Sequence, residues 1–289
     1  MAETWLEVAL NGPWGQALQP GIPITVKDIV AQGIASAEAG AAIVHVHAYD
    51  EASGRQKDDP DIYAAIIEGI REKVDVIVYP TIPIAPEDAG GSGEARFAAV
   101  AALAERGLLE WAVVDPGTVN LATFKQMSAG ECGFVYANPD EHIRAGLAIA
   151  DRHGIHPSYA VYEPGFLRQG AHLAGLYGNM PTPIYRFMFS DGFSFGFPPK
   201  PYALDAYLTL LEALAPDAPW MVAGLAVDLG PMLGEAVARG GHVRVGLEDA
   251  PLGDARTNVA LVETAAAAIE RSGATVATVA QIRETLGSA

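Results

Sequence analysis

The chain has 289 residues, half of them hydrophobic, and a formal net charge of −17 at pH 7. This charge disfavours a nucleic-acid-binding protein, because binding to phosphates needs a basic surface. No apolar run approaches the roughly 20 residues of a membrane span, and the first residues lack the pattern of a secretory signal. The single cysteine, Cys132, fits a reducing cytoplasm. We therefore expect a cytoplasmic protein with neither nucleic-acid nor membrane partners.

Short apolar strands alternate with amphipathic helical stretches along the whole chain. The predicted strands are 6–10, 42–48, 75–81, 111–114, 159–163, 184–189, 220–227 and 243–247. The predicted helices are 25–38, 60–73, 93–106, 140–153, 166–176, 202–214, 231–238, 256–271 and 279–286. Eight strand–helix units in this length predict an α/β fold, a (β/α)8 TIM barrel, as a single domain over residues 1–289 with an extra C-terminal helix. A doubly wound open sheet is the alternative, but the Gly-x-Gly-x-x-Gly fingerprint is absent after the first strand.

The second predicted strand carries a His-x-His pair, His45 and His47. Side chains two apart on a strand point to the same face, so both imidazoles can bind one cation with metal–nitrogen distances near ~2.1 Å. Such pairs also occur as ordinary polar residues, so a metal site needs a third ligand. Glu248, after the eighth strand, offers one. In a closed barrel the second and eighth strands both flank the first, which lets the three side chains share one rim.

Several other polar side chains also follow strand ends. Active sites of TIM barrels gather at the C-terminal ends of the strands. The residues at or just past these ends are His45, His47, Thr81, Asn120, Glu163, Glu248 and Asp249. We therefore expect the active site on this rim.

Three motifs on the rim resemble those of the β-keto acid cleavage enzymes, and the resemblance extends over nearly the whole chain. The motifs are Val44-His45-Val46-His47, Gly117-Thr118-x-Asn120 and Arg244-x-Gly246-x-Glu248-Asp249. The resemblance implies a zinc-dependent barrel that condenses a β-keto acid with acetyl-CoA. The products would be acetoacetate and a new acyl-CoA, and the enzyme would be a homo-oligomer.

The resemblance also implies roles for individual residues. His45, His47 and Glu248 would be the ligands of one Zn²⁺ per chain, and Asp249, with Arg244 beside it, would take the acid–base role. The alternative for Arg244 and Asp249 is an ion pair that only orders the strand end. The residues expected to contact substrate are Thr81, Asn120, Trp14 and Glu163.

Four positions depart from the family pattern. Trp14 stands in the turn where the family's aminohexanoate enzyme has a glutamate that faces the substrate's amino group. Tryptophan cannot neutralise an ammonium group, so we expect an uncharged or apolar substrate tail. Tyr49, Pro80 and Ala250 stand where the family commonly has arginine, serine and asparagine.

Two segments near the rim have two interpretations each. Gly90-Gly91-Ser92-Gly93 could approach a phosphate of coenzyme A, or it could be a flexible loop. Phe193-x-Phe195-x-Phe197 could line an acyl or pantetheine pocket, with Lys200 near an anionic group, or it could pack against a loop or a partner subunit.

Two other functions compete with the cleavage reaction. A zinc hydrolase of the amidohydrolase type also uses His-x-His at a barrel strand end, but that resemblance would put the pair on the first strand. It would also need histidines at the fifth and sixth strand ends, where this chain has Glu163 and Ser190. The second alternative is a metal-retaining binding protein without catalysis, which would form no acyl-CoA product.

Overall fold

The computed structural model describes residues 2–84 and 91–287. Eight parallel strands form a nearly closed barrel, which confirms the predicted TIM barrel. The strands are β1 (Leu6–Ala9), β2 (Ile43–Val46), β3 (Ile77–Pro80), β4 (Trp111–Val113), β5 (His156–Val161), β6 (Ile184–Phe189), β7 (Trp220–Gly224) and β8 (His242–Val245). Their order around the barrel is β3-β2-β1-β8-β7-β6-β5-β4, with β3 and β4 at the two edges.

The strands are buried on both faces, as expected for a parallel sheet covered by helices. Every residue of β1 to β7 is buried, and in β8 the two central residues are buried. TIM-barrel interiors are usually filled by branched apolar side chains. This chain instead buries a polar and charged set along its strands: Glu7, His45, Tyr79, Arg186 and Arg244. The barrel interior therefore contains buried charges, and each needs an oppositely charged partner or a bound ligand.

The helices surround the barrel. They are α1 (Val26–Glu38), α2 (Pro60–Arg71), α3 (Gly93–Arg96), α4 (Ala98–Glu105), α5 (Phe124–Ser128), α6 (Asp140–His153), α7 (Pro164–Ala174), α8 (Pro201–Leu214), α9 (Gly230–Ala238), α10 (Asn258–Arg271) and α11 (Val279–Leu286). The predicted helix 93–106 is two helices that are divided at Phe97. The expected extra C-terminal helix is α11, while the single-domain organisation stays a prediction.

Helix α2 shows how local sequence sets a helix start. The Asp59 side chain accepts hydrogen bonds from the backbone N–H groups of Asp61 and Ile62, which would otherwise lack partners. Pro60 occupies the first position, where a missing N–H costs least. The buried face of the helix carries Tyr63, Ala64, Ile66, Ile67 and Ile70.

Three short strand pairs were not predicted. Val119–Leu121 pairs with Phe134–Tyr136 after β4, and the two strands enclose α5. The other pairs are Tyr49–Asp50 with Arg55–Gln56, and Glu3–Thr4 with Thr275–Val276. Strands of two or three residues are too short to show an apolar period.

Strand ends also differ from the prediction. β5 begins three residues before the predicted start, at His156, and β7 ends at Gly224 rather than at residue 227. The predicted β7 segment was too long because the loop after Gly224, residues 225–227, is still apolar. Within the described part of the chain, no helix has both the length and the apolar character that a membrane crossing requires.

Candidate active site

Three side chains converge at the C-terminal rim, beside β1. His45 lies on β2, His47 follows that strand, and Glu248 follows β8. Glu248 Oε2 lies 3.6 Å from His45 Nε2 and 3.5 Å from His47 Nε2. The three candidate ligand atoms all lie within 4.8 Å of one another. The structure therefore brings together the three predicted ligands.

These atoms fit a divalent metal ion. His47 Nε2 and Glu248 Oε2 are buried and have no hydrogen-bond partner among the described residues. Tetrahedral bonds near ~2.1 Å would place ligand atoms about 3.4 Å apart, close to the separations of 3.5 and 3.6 Å in this structure. Two imidazoles and one carboxylate also match the donor set of catalytic zinc sites that keep an open position.

The electrostatics favour the metal-binding protonation states. Burial lowers the pKa of His45 well below its ordinary value, so its imidazole is neutral at pH 7. Burial alone would raise the pKa of Glu248, but Arg244 and the two histidines outweigh it and hold that pKa well below its usual range. The site thus offers a neutral imidazole and an ionised carboxylate.

Hydrogen bonds to residues outside the ligand set orient His47. Asn11 accepts from the His47 backbone N–H at 2.9 Å and donates to its carbonyl at 2.9 Å. Gln56 Oε1 lies 2.8 Å from His47 Nδ1, and an amide oxygen only accepts, so Nδ1 carries the proton and the Nε2 lone pair is available to a metal. Gln56 in turn donates to Asp58 at 3.0 Å, and Asp58 accepts from Tyr63 at 2.8 Å.

Two glycines allow the backbone to approach closely around Glu248. Gly246 has a φ of 137°, and a Cβ there would lie 2.1 Å from the Ala9 carbonyl oxygen. Gly12 has a φ of 63°, and a Cβ there would lie 2.6 Å from Glu248 Cγ. Trp14 Nε1 donates to the Glu248 carbonyl at 2.7 Å. The turn after β1 therefore packs directly on the third ligand.

Arg244 lies behind the ligand and is surrounded by carboxylates. Its Nη2 donates to Asp249 at 2.7 Å and to Glu248 at 2.8 Å, its Nε donates to Asp249 at 3.0 Å, and its Nη1 donates to Glu7 at 3.3 Å. Tyr79 also donates to Glu7, at 2.7 Å. Glu7 and Tyr79 were not predicted, because they lie within strands rather than at strand ends. The available signal was a charged residue inside an apolar strand.

Burial changes the acidity of two of these carboxyl groups. It raises the pKa of Glu7 and of Asp249 in spite of the opposing Arg244 charge. Asp249 also accepts from the Gly224 backbone N–H at 3.2 Å, and its side chain is only 4% exposed. It is not among the described residues that line the cavity, so its acid–base role stays a prediction.

The candidate ligands face a cavity of about 90 Å³. Its metal side is formed by the three ligands and Arg244, and Trp14 and Thr81 also line it, while their contact with substrate stays a prediction. The remaining described residues that line it are Pro13, Ile84, Val113, Asp115, Leu121, Phe134, Tyr136, Ala160, Tyr162, Arg186, Met188, Phe193 and Leu225. This wall is mostly apolar and aromatic.

Two predicted substrate-binding residues lie elsewhere. Asn120 is exposed, while its neighbours on the same short strand, Val119 and Leu121, are buried. Glu163 accepts from the Gly196 backbone N–H at 3.0 Å. Neither belongs to the described cavity lining, so their contact with substrate stays a prediction. A hydrolase of the amidohydrolase type would need a histidine ligand at the end of β6. Ser190 stands there instead, and its hydroxyl donates to the Leu225 carbonyl at 2.8 Å.

The aromatic segment after β6, Phe193 to Phe197, could line a pocket or pack against other parts of the protein, and its three phenylalanines differ in this respect. Phe193 lines the cavity. Phe195 packs edge-on against Tyr162 with ring centroids 5.1 Å apart, and Phe197 packs against Tyr207 at 5.2 Å. Lys200 is exposed beside the start of α8.

The glycine-rich segment lies only partly within the described residues. Gly90 is outside them. The Ser92 side chain caps α3 by accepting from the Ala95 backbone N–H at 3.1 Å. The predicted contact of this segment with a coenzyme A phosphate stays untested.

A second charged pair on the opposite wall was also missed. Asp115 Oδ1 accepts from the Ala160 backbone N–H and Oδ2 accepts from Tyr136, each at 2.7 Å. Arg186 Nη2 lies 3.6 Å from Asp115 and donates to the Ser158 carbonyl at 3.2 Å. An arginine in the middle of an apolar strand was the signal that could have found this pair.

Comparison with known proteins agrees with the geometry. The family model described as beta-keto acid cleavage enzyme matches residues 3–287. The 3-oxoadipate:acetyl-CoA acetyltransferase of Cupriavidus necator is 31% identical over 277 residues, which cover 93% of this chain and 88% of the relative. The 3-keto-5-aminohexanoate cleavage enzyme of Acetoanaerobium sticklandii is 26% identical, with 93% of this chain and 92% of the relative covered.

Solved structures support the fold. A ternary complex of ObcA with C4-CoA adduct and oxalate matches with a TM-score of 0.71 and 19% identity, over 93% of this chain and 68% of that chain. At this identity the likeness concerns the fold alone. The family match over nearly the whole sequence decides the classification: this chain is a member of the beta-keto acid cleavage enzyme family, an enzyme of C–C bond cleavage and acyl transfer.

Proposed function

We propose that this chain is a zinc-dependent enzyme that condenses a β-keto acid with acetyl-CoA and releases acetoacetate and a new acyl-CoA. The observation that carries the proposal is the convergence of His45, His47 and Glu248 on one cavity at metal-ligand separations. Relatives named as acetyl-CoA transferases of 3-oxoadipate and of 3-dehydrocarnitine support the same reaction class.

The proposed chemistry combines a metal ion bound by Glu248 and the two histidines with a base, Asp249, the next residue in the chain. A Zn²⁺ ion held by the three ligands would supply Lewis acidity to the keto oxygen of the substrate. Asp249 would accept the α-proton, and its burial-raised pKa makes it a stronger base than an ordinary aspartate. Arg244 would hold Asp249 in place through hydrogen bonds of 2.7, 3.0 and 3.2 Å. Thr81, on the same rim, would contact the substrate.

The walls of the cavity also indicate which substrate tails are disfavoured. Trp14 lines the cavity and donates its indole N–H to a backbone carbonyl, so no carboxylate of the turn after β1 faces the substrate. Phe193 packs near it, with ring centroids 6.4 Å apart. We propose that an ammonium-bearing tail is excluded from the part of the cavity beside Trp14, because removing its hydration shell without an acidic partner there is costly.

The test is to incubate the purified protein with acetyl-CoA and a panel of β-keto acids and to follow coenzyme A esters by mass spectrometry. Glu248→Gln keeps the size of the side chain but removes the ligand charge, and should abolish both metal retention and product formation. Glu212→Gln, an exposed position on α8, is the matched control and should behave like the wild type.

A new acyl-CoA that matches the keto-acid tail, formed together with acetoacetate, is the expected result. Absence of exchange with every tail, in protein that carries stoichiometric zinc, would contradict the proposed reaction. The metal site would then stand, and a binding protein without catalysis would become the better interpretation.

A further inference from the structure

Arg186 on β6 is a buried cation with unused hydrogen-bond donors. Its side chain is 3% exposed and lines the cavity. Its Nη2 donates to the Ser158 carbonyl at 3.2 Å. Its Nε is buried and has no hydrogen-bond partner among residues 2–84 and 91–287. A buried guanidinium N–H without a partner is costly, and at a cavity wall it is a candidate to bind a ligand.

The neighbouring carboxylate does not use these donors. Asp115 lies 3.6 Å from Arg186 Nη2, which is beyond hydrogen-bond distance. Both of its oxygens already accept hydrogen bonds at 2.7 Å, from Ala160 N–H and the Tyr136 hydroxyl. Asp115 therefore balances the charge of Arg186 without occupying its guanidinium fork.

Arg186 stays protonated in spite of its burial. Burial alone would lower the pKa of Arg186, but nearby Tyr79, Asp115 and Glu7 outweigh it and raise that pKa. Arg186 also lies on the wall opposite the candidate metal ligands. Four steps in the strand order separate β2 from β6, which places these strands on opposite sides of the eight-stranded barrel. A ligand in the cavity would lie between His45 and Arg186.

We propose that Arg186 is a substrate-binding residue that holds a carboxylate of the β-keto acid through its free N–H groups. This inference rests on the proposed function for the identity of the ligand. A carboxylate matches the planar fork, and Arg–carboxylate contacts are commonly bidentate. The carboxylate is either the C1 carboxylate, which every β-keto acid carries one carbon away from its keto group, or a second one at the end of the tail. The uncharged or apolar tail expected from Trp14 favours the first possibility, and the experiment distinguishes the two.

The experiment compares 3-oxohexanoate with its dicarboxylate counterpart 3-oxohexanedioate. Calorimetry measures their dissociation constants for the zinc-loaded protein without acetyl-CoA, and kinetics with acetyl-CoA gives KM and kcat separately. The variants are Arg186→Gln and Arg186→Lys, and Arg106→Gln on the surface is the control. Arg106 is 43% exposed and pairs with Asp61, so its loss should change neither constant.

The expected result for Arg186→Gln is a rise of about 10- to 100-fold in the dissociation constant and KM, because a hydrogen-bonded charge pair is lost. Arg186→Lys should recover part of the affinity, since it restores the charge but not the fork. Weaker binding of both acids would assign Arg186 to the C1 carboxylate. Weakening of the dicarboxylate alone would assign it to the tail.

Unchanged dissociation constants for both acids in folded variants would overturn the inference, as would a loss of kcat without any change in affinity. If Arg186→Gln does not fold, Arg186→Lys carries the test, with an expected loss of about 5-fold or more. Because binding is measured without acetyl-CoA, failure of the acyl-transfer reaction leaves this readout intact. Acyl transfer with unchanged binding in the variants would overturn only the role of Arg186.

Discussion

Two arginines reach the cavity from different walls, and their surroundings differ. Arg244 donates to three carboxylates, Glu7, Glu248 and Asp249, at 2.7 to 3.3 Å. Arg186 is buried to a similar degree, yet its Nε has no partner in the described part of the chain. Arg244 therefore helps to fix the metal ligand Glu248 in place, whereas Arg186 retains an N–H group that can bind a substrate.

The same contrast applies to the metal side. In two of the three ligand side chains, one atom is hydrogen-bonded and another has no partner among the described residues, whereas in His45 it is Nδ1 that lacks a partner. His47 Nδ1 pairs with Gln56 while its Nε2 has no partner, and Glu248 Oε1 pairs with Arg244 while its Oε2 has none among the described residues. Buried polar groups are normally hydrogen-bonded, and these two exceptions lie together at the cavity, which makes them candidate contacts of a bound ligand.

The largest expected effect is on Arg244. Arg244→Met would leave Glu7 and Asp249 buried without their hydrogen-bonded counter-charge and should reduce the free energy of unfolding by about 3–5 kcal/mol. Arg186→Met should cost less, about 1–2 kcal/mol, because Asp115 keeps its hydrogen bonds from Ala160 N–H and Tyr136 when the looser ion pair is lost. Urea denaturation at pH 7, followed by circular dichroism, measures both. Equal losses would break the comparison between the two arginines.

The next effect concerns metal affinity. Gln56→Leu removes the acceptor that orients the His47 imidazole and should weaken metal binding about 10- to 100-fold. Competition with a chromogenic chelator gives the affinity. Gln169→Leu, on α7, makes the same chemical change away from the ligands and serves as the control. An unchanged affinity in Gln56→Leu would show that the Gln56 contact does not orient the ligand.

Tyr79→Phe tests the outer layer of the Arg244 cluster. It removes the 2.7 Å hydrogen bond to Glu7 and should reduce the free energy of unfolding by about 1.5 kcal/mol. Tyr159→Phe is the matched control, because the buried Tyr159 hydroxyl has no hydrogen-bond partner among the described residues and its removal should be neutral or stabilising. Thermal and urea unfolding of both variants would decide. A larger loss in Tyr159→Phe would contradict the assignment.

Glu7→Gln should give the smallest effect, in the pH dependence of stability. Burial raises the pKa of Glu7 above its ordinary value of 4.5, so the folded state holds its proton more tightly than the unfolded state. The free energy of unfolding should therefore fall as pH rises from 4.5 through the folded-state pKa, by at most about 1.4 kcal/mol per pH unit from this group. Glu7→Gln should remove this part of the slope. An identical slope in both proteins would show that Glu7 titrates normally.

Much of the rim could be predicted from the sequence. His45 and His47 share a face because a strand has a period of two, and this holds whatever the rest of the fold does. The prediction of Glu248 as the third metal ligand needed the additional premise that β2 and β8 both lie beside β1 in a closed barrel. Asn120 illustrates the limit of such reasoning. Its position after a strand was identified, but the short hairpin that turns its side chain outward depends on pairing with residues 134–136.

The sequence by itself determined the order of the strands and helices, the inward pair of histidines and the family, since these follow from local periodicity and short motifs. Only the tertiary structure decided which buried charges meet. Glu7 and Arg244 are 237 residues apart in the chain, and Asp115 follows β4 whereas Arg186 lies on β6. Their pairing depends on barrel closure and register, and so does the difference between a saturated arginine and one with free donors. No local pattern contains that information.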